Sequence, residues 1–236
     1  MSKVIVVPDS HGTEHWKRVK PHVEREDIDK IIFLGDYWDS FTKGYNAQLS
    51  NFNQIIRFKK RFPEKIELLW GNHETSYYHD ERCSGFQHHH SFDIQEILRI
   101  YKNFFEIVFI IDNWIFSHGG VSGDWMRRTA LKHPSEINQL FKERPAYFAW
   151  VGPDSSGNNQ YEGPLWIRPG ALREFALADW NFCVGHTELR EEVKKPVWLE
   201  HKTGKILLTD SGKHNCIFEL DTITNEVNLL SKEFKI

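Results

Sequence analysis

Ile31-Ile32-Phe33-Leu34-Gly35-Asp36-Tyr37-Trp38-Asp39 carries the pattern on which this chain is built: a short apolar run, a glycine, then carboxylates and aromatics. An apolar run of this length beside a turn signal reads as a buried strand. Working outward, Val4-Ile5-Val6-Val7 precedes Asp9-Ser10-His11, and Ile66 to Trp70 precedes Gly71-Asn72-His73-Glu74. Trp114 to Phe116 precedes Ser117-His118-Gly119-Gly120, and Phe182-Cys183-Val184 leads into Gly185-His186-Thr187. Side chains at the C-terminal ends of strands in a layered α/β protein converge on one rim. Asp, Asn and His gathered there form a set of oxygen and imidazole donors suited to a metal site.

The segments between the motifs complete the fold class. Helical stretches are expected over about Glu14 to Glu24, Gln48 to Phe62 and Ile94 to Tyr101, the second carrying Ile55, Ile56, Phe58 and Phe62 near helical spacing. Glu106 to Ile111 and Trp114 to Ser117 read as strands joined by an Asp112-Asn113 hairpin turn. Val197–Glu200, Lys205–Thr209, Cys216–Leu220 and Val227–Leu230 read as a late run of strands. Early strand–helix alternation followed by a meander predicts an α/β fold of two packed sheets with helices outside.

Length and composition narrow the function. The 236 residues, 40% hydrophobic and 27% charged, suit one globular domain spanning 1–236. A net charge of −3 leaves no electrostatic footprint for a long nucleic-acid duplex. No apolar stretch reaches membrane-spanning length, and the N-terminus lacks the apolar core of a signal peptide. Cys83, Cys183 and Cys216 are too few and too scattered for a disulfide framework, so reduced thiols and a cytoplasmic location are expected. Most of the nine Trp and 17 Phe must be core. Trp38 and Trp166 lie inside motifs and are candidates for lining a pocket, with packing the favoured role.

A single Asp-x-His is a weak signal, but Gly71-Asn72-His73-Glu74 after an apolar strand has few structural uses. The five motifs in this order closely resemble the calcineurin-like metallophosphoesterases. Gly35 to Asp39, Gly71 to Glu74, His118-Gly119-Gly120 and Gly185-His186-Thr187 together look most like the phosphoprotein-phosphatase branch. The bacterial and phage members, including symmetrical dinucleoside tetraphosphate hydrolases, are the most similar in pattern. The resemblance runs through about the first 190 residues. It implies a four-layer αββα sandwich of two mixed sheets, and two divalent cations held by Asp9, His11, Asp36, Asn72, His118 and His186, with Asp36 shared. Manganese is expected, with iron, zinc and cobalt as alternatives. Such a pair acidifies a bridging water and clamps the attacked phosphoryl oxygens. His73 matches the family's general acid and Asp39 the carboxylate that orients it, a pairing that suits a group titrating near neutrality.

Two departures bear on substrate. The phosphatase branch carries an Arg directly after its second motif, where this chain has Ser40. Leu165-Trp166-Ile167-Arg168-Pro169 resembles a Trp-x-Arg element of bacterial and phage members, which makes Arg168 the candidate for bidentate phosphate recognition. Glu188 stands where many relatives carry a further His ligand, and is expected to be solvated. Asp210-Ser211-Gly212 is expected to be structural. Tyr77-Tyr78-His79-Asp80 and His88-His89-His90 read as a solvated loop beside the site, with a lid or specificity role and no ligand role. Three functions compete: a phosphomonoesterase acting on phosphoprotein or a small phosphorylated molecule, a dinucleoside polyphosphate hydrolase or phosphodiesterase, and a metal-binding scaffold. The scaffold is the weakest, since it has no use for His73 and Asp39.

Overall fold

The computed structural model describes residues 2–79, 81–152, 157–190, 193, 195–214 and 216–230. Strands β1 (Lys3–Val7), β2 (Lys30–Phe33) and β3 (Ile66–Leu69) lie parallel, with α1 (Tyr45–Arg61) linking β2 to β3. After α2 (Asn72–His79) and α3 (Ser91–Tyr101), the two-residue β4 (Phe105–Glu106) pairs with β3. Strands β5 (Val108–Ile111) and β6 (Trp114–Ser117) form an antiparallel hairpin in a second sheet. Helices α4 (Gly123–Arg128), α5 (Ile137–Glu143) and α6 (Pro169–Phe175) precede β7 (Asn181–Val184), which runs parallel to β6. Next come β8 (Val197–His201), β9 (Gly204–Leu208), β10 (Phe218–Asp221) and β11 (Val227–Leu229). The first sheet is ordered β11-β10-β1-β2-β3-β4 and the second β5-β6-β7-β9-β8.

The continuous apolar runs follow from burial on both faces. Val4, Val6, Ile32, Leu34 and Leu69 of the first sheet pack against Trp114, Phe116, Cys183 and Leu207 of the second. The alternate residues Ile5, Val7, Ile31 and Phe33 turn the other way and join Phe52 and Ile55 of α1 with Ile94 and Leu98 of α3. Ile115, Phe182 and Ile206 likewise face outward with Ala171 and Leu172 of α6. This is the expected arrangement of two mixed sheets flanked by helices.

Several expectations need correction. The helix over Glu14 to Glu24 is a 3₁₀ stretch, His15–His22, with Pro21 inside it. Proline lacks the N–H that an α-helical ladder needs. The run Glu106 to Ile111 is two strands in different sheets. At the crossing, the backbone N–H groups of Ile107 and Val108 both donate to Asn138 Oδ1, at 2.8 and 3.0 Å. The late run of strands also divides, β8 and β9 joining the second sheet and β10 and β11 the first. Tyr77, Tyr78 and His79 belong to α2 and not to a solvated loop, because residues 72–77 are buried against the core; Asp80 lies outside the described residues. His88–His90 forms one 3₁₀ turn leading into α3, with the His90 ring stacked on Tyr45 at 3.9 Å. The three cysteines are free. Among the described residues no helix is long and apolar enough to cross a membrane.

Candidate metal centre

All five motifs sit at C-terminal strand ends: those of β1, β2, β3, β6 and β7. Four of their non-glycine residues take left-handed backbone, His11 (φ 41°), Asp36 (φ 52°), Asp39 (φ 65°) and His186 (φ 63°). Such conformations are costly for side-chain-bearing residues and cluster at functional sites. Two glycines are dictated by close approach. A Cβ at Gly71 would lie 2.1 Å from Asp36 Oδ1, and one at Gly185 would lie 2.1 Å from Asp9 Oδ1.

The structure brings Asp9, His11, Asp36, Asn72, His118 and His186 to one place. His118 Nε2 is 2.7 Å from Asn72 Oδ1 and 3.3 Å from Asp36 Oδ2, and His186 Nδ1 is 3.0 Å from Asn72 Oδ1. His11 Nε2 is 3.6 Å from Asp36 Oδ2. Asp36 belongs to two groups of donor atoms, one with His11 and His73 and one with Asp9 and His118, each lying within 4.8 Å.

The opposite ring nitrogens decide what this arrangement needs. A carbonyl oxygen only accepts, so His118 donates Nδ1–H to Leu34 (2.9 Å), His11 donates Nδ1–H to Trp38 (2.9 Å) and His186 donates Nε2–H to Trp166 (3.1 Å). In the neutral imidazole the other nitrogen is then a bare lone pair. All three lone pairs face carboxylate or amide oxygens. The Asn72 amide is oriented by donation from Nδ2 to Cys83 Sγ at 3.4 Å, which leaves Oδ1 toward the imidazoles. Lone pairs gathered on lone pairs are stable only around a cation, and second-layer carbonyls of this kind fix metal-ligating histidines. The carboxylates favour positive charge at the same point, and without a metal ion a proton on His118 supplies it. Burial disfavours the His118 cation, yet the Asp36 and Asp9 carboxylates outweigh it and raise the imidazole to about 9. Burial and the neighbouring Asp210 push Asp9 upward. The residues therefore fit a metal centre.

Beside this cluster lies a second constellation. His73 Nδ1 is 2.9 Å from Asp39 Oδ2, and Asp39 Oδ1 accepts from the Tyr77 hydroxyl. His73 Nε2 points toward Asp36, 3.8 Å from Oδ2. Burial opposes its charge, but Asp36 and the hydrogen-bonded Asp39 prevail and hold it at about 9. Sequence reasoning missed the role of Glu74. Its fully buried carboxylate accepts from the backbone N–H groups of Asp36 (2.9 Å), Tyr37 (2.7 Å), Trp38 (3.2 Å) and Gly71 (3.0 Å). One side chain thus ties the loop after β2 to the loop after β3. A glutamate closing a motif behind an apolar strand was the available signal.

Comparison with known proteins agrees with this geometry. The calcineurin-like phosphoesterase family model matches residues 2–215. The chain belongs to that family. The serine/threonine-protein phosphatase 4 catalytic subunit of Eremothecium gossypii is 31% identical over 138 residues, 52% of this chain and 40% of its own length. That of Saccharomyces cerevisiae is 32% identical over 108 residues, 40% of this chain and 31% of its own. The matches therefore span less than half of those relatives. Two solved structures share the fold. A Shewanella cold-active protein-tyrosine phosphatase has TM-score 0.57 at 17% identity, over 98% of this chain and 81% of that one. A Saccharomyces cerevisiae protein serine/threonine phosphatase has TM-score 0.58 at 14% identity, over 100% and 82%.

In this calcineurin-like phosphoesterase the cluster opens into a cavity of about 890 Å³. Arg168 lines it, half-buried, with Nη1 donating to the His186 carbonyl (2.7 Å) and Thr187 Oγ1 (3.1 Å). Ser40 also lines it. Trp166 lines it and meets the His186 ring edge-on at 6.0 Å, whereas Trp38 is fully buried core. Glu188 is exposed at the rim, as expected. Asp210 was expected to be structural, yet its buried carboxylate lines the cavity and interacts with Asp9. Cys83 lines it too, its thiol pushed up to about 12 by burial and so not a nucleophile at neutral pH.

Proposed function

We propose that this chain is a dinuclear metal-dependent phosphoesterase acting on phosphomonoesters, either phosphoprotein or a small phosphorylated molecule. The observation that carries the reading is the inward turn of three imidazole lone pairs onto Asp36 and Asn72, each imposed by a backbone carbonyl behind the ring. Asp9, His11 and Asp36 would hold one cation, and Asp36, Asn72, His118 and His186 the other, with manganese the expected metal. Two bound divalent cations supply Lewis acidity, lowering the pKa of a water and neutralising phosphoryl oxygens. Arg168, anchored through Nη1, offers its remaining N–H groups to a terminal phosphoryl oxygen. His73 delivers a proton from Nε2 to the departing oxygen while Asp39 holds Nδ1–H and stabilises the imidazolium. A non-catalytic scaffold has no use for that pair. Free, largely buried thiols support a reducing, cytoplasmic location.

One observation favours a second reading, hydrolysis of dinucleoside polyphosphates: Phe41, Trp150 and Trp166 line the cavity, and base–aromatic stacking is a strong sequence-tolerant contact. Assays with added Mn²⁺ on p-nitrophenyl phosphate, a phosphopeptide and a dinucleoside tetraphosphate discriminate between them. The first reading fails if only the dinucleotide is cleaved, and both fail if none is.

A further inference from the structure

The segment from Glu81 to Gln87, between α2 and the 3₁₀ turn at His88–His90, borders the cavity through Glu81 to Ser84 and is tied down along its length. At one end the Glu81 N–H donates to the Ser76 carbonyl at 3.1 Å, and burial raises the pKa of its carboxyl against a smaller lowering by the Trp150 backbone beside it. In the middle, Cys83 Sγ lies 2.7 Å from Ser76 Oγ and accepts from Asn72 Nδ2. At the far end Gly85 (φ 76°) presses on Asp39 so closely that a Cβ there would sit 2.7 Å from its carbonyl oxygen. The span therefore runs from the Trp150 wall, past a candidate ligand, to the residue that holds His73. Arg82 lies between the first two ties, exposed and lining the cavity. Among the described residues its guanidinium has neither an ion pair nor a hydrogen bond.

A phosphomonoester dianion presents three terminal oxygens, and Arg168 has already committed Nη1 to protein oxygens. Ser40, which also lines the cavity, offers no charge. The Ser40 hydroxyl is occupied as an acceptor for the N–H groups of Thr42 (3.3 Å) and Lys43 (3.2 Å). We propose that Arg82 is a phosphate-binding residue of this site, supplying a second guanidinium, beside that of Arg168, from the braced Glu81–Gln87 segment of the same cavity lining. The inference rests on the phosphoester reading above, and it narrows the substrate to a terminal phosphate with a free dianionic face. A diester, with one fewer open oxygen and one fewer charge, gains less from a second cation.

Binding of inorganic phosphate to the Mn²⁺-loaded full chain, measured by titration calorimetry, tests this without relying on turnover. Arg82→Ala should weaken phosphate binding about 10- to 100-fold, the range of a charge-assisted contact. Metal content and thermal midpoint should stay unchanged. KM for p-nitrophenyl phosphate should rise in parallel, with a smaller rise for bis-p-nitrophenyl phosphate. Adding Ser40→Arg to Arg82→Ala should recover part of the lost affinity, because position 40 follows the residue on which this segment rests. The proposal is overturned if Arg82→Ala binds phosphate within twofold of wild type, or if monoester and diester suffer equally. Failure of wild type to cleave any phosphate ester would instead sink the phosphoester reading, a separate outcome.

Discussion

The two sheets meet at one rim but bring different chemistry to it. The first sheet supplies oxygen donors, Asp9, Asp36 and Asn72, at the ends of β1, β2 and β3; the second supplies imidazoles, His118 and His186, after β6 and β7. Only His11 crosses this division. The oxygens are held by backbone N–H groups: His73 N donates to Asp36 Oδ1 at 3.1 Å, and His186 N donates to Asp9 Oδ2 at 3.0 Å. The imidazoles are held by backbone carbonyls. Each sheet also fixes the other's donor, since Leu34 of the first orients His118 and His186 of the second orients Asp9. The site is therefore a lock across the seam, and its geometry depends on the packing of the two sheets as much as on either alone. The sides differ in bracing. The loops carrying Asp36 and Asn72 are braced in addition by the side chain of Glu74, whereas the imidazoles rest on main-chain carbonyls that no substitution removes.

Breaking the shared donor should have the largest effect. Asp36→Asn should lose tight metal binding, read by elemental analysis, and reduce p-nitrophenyl phosphate turnover to the assay floor. Retention of the full metal content would show that Asp36 does not bridge. The next largest effect tests the pair beside the lock. His73→Asn should keep its metal but slow alkyl phosphate hydrolysis by about 10²–10⁴-fold, the usual contribution of a general acid. It should slow p-nitrophenyl phosphate much less, because nitrophenolate leaves without a proton. Equal losses on both substrates would make His73 a ligand or a positioning group.

Glu74→Gln sharpens the contrast between the sides. An amide there turns its own N–H groups against backbone donors, so metal affinity should fall by about 10- to 100-fold, the scale seen when outer supports of metal ligands are lost. Any single bound ion should be the one held by the second sheet. An unchanged affinity would assign the bracing elsewhere. Chelation should then loosen the seam as a whole. Metal at 100 times its Kd adds about 2.7 kcal/mol, so the thermal midpoint should drop by roughly 5–10 °C in excess EDTA. The smallest effect is expected at the rim, where Glu188→Gln should change turnover less than twofold; a larger loss would make its exposed carboxylate part of the site.

Much of this was legible in the chain itself. Apolar runs at Val4–Val7, Ile31–Leu34 and Ile66–Trp70 gave strands because residues buried on both faces leave no alternation to misread. The donors were legible because a polar motif directly behind such a strand can only emerge at its end. Legibility failed where a local pattern served a non-local purpose. Glu106 to Ile111 reads as one strand, yet the chain changes sheets at Ile107, and Asn138, thirty-one positions away, pays the backbone cost of the crossing. Tyr77 to His79 reads as a polar loop, yet it forms the last turn of α2, with Tyr77 buried and its hydroxyl donating to Asp39.

The order of motifs, the residue types at the rim and the alternation of strand and helix belong to the sequence alone, since each follows from local periodicity and the reach of a side chain. The tertiary structure decided the rest: which ring nitrogen of each histidine faces inward, which carboxylate braces two loops, and which cations line the cavity beside the cluster. Those properties depend on carbonyls, amides and loops contributed by distant parts of the chain. Hydrogen-bond direction and electrostatic proximity exist only once the two sheets have closed on one another.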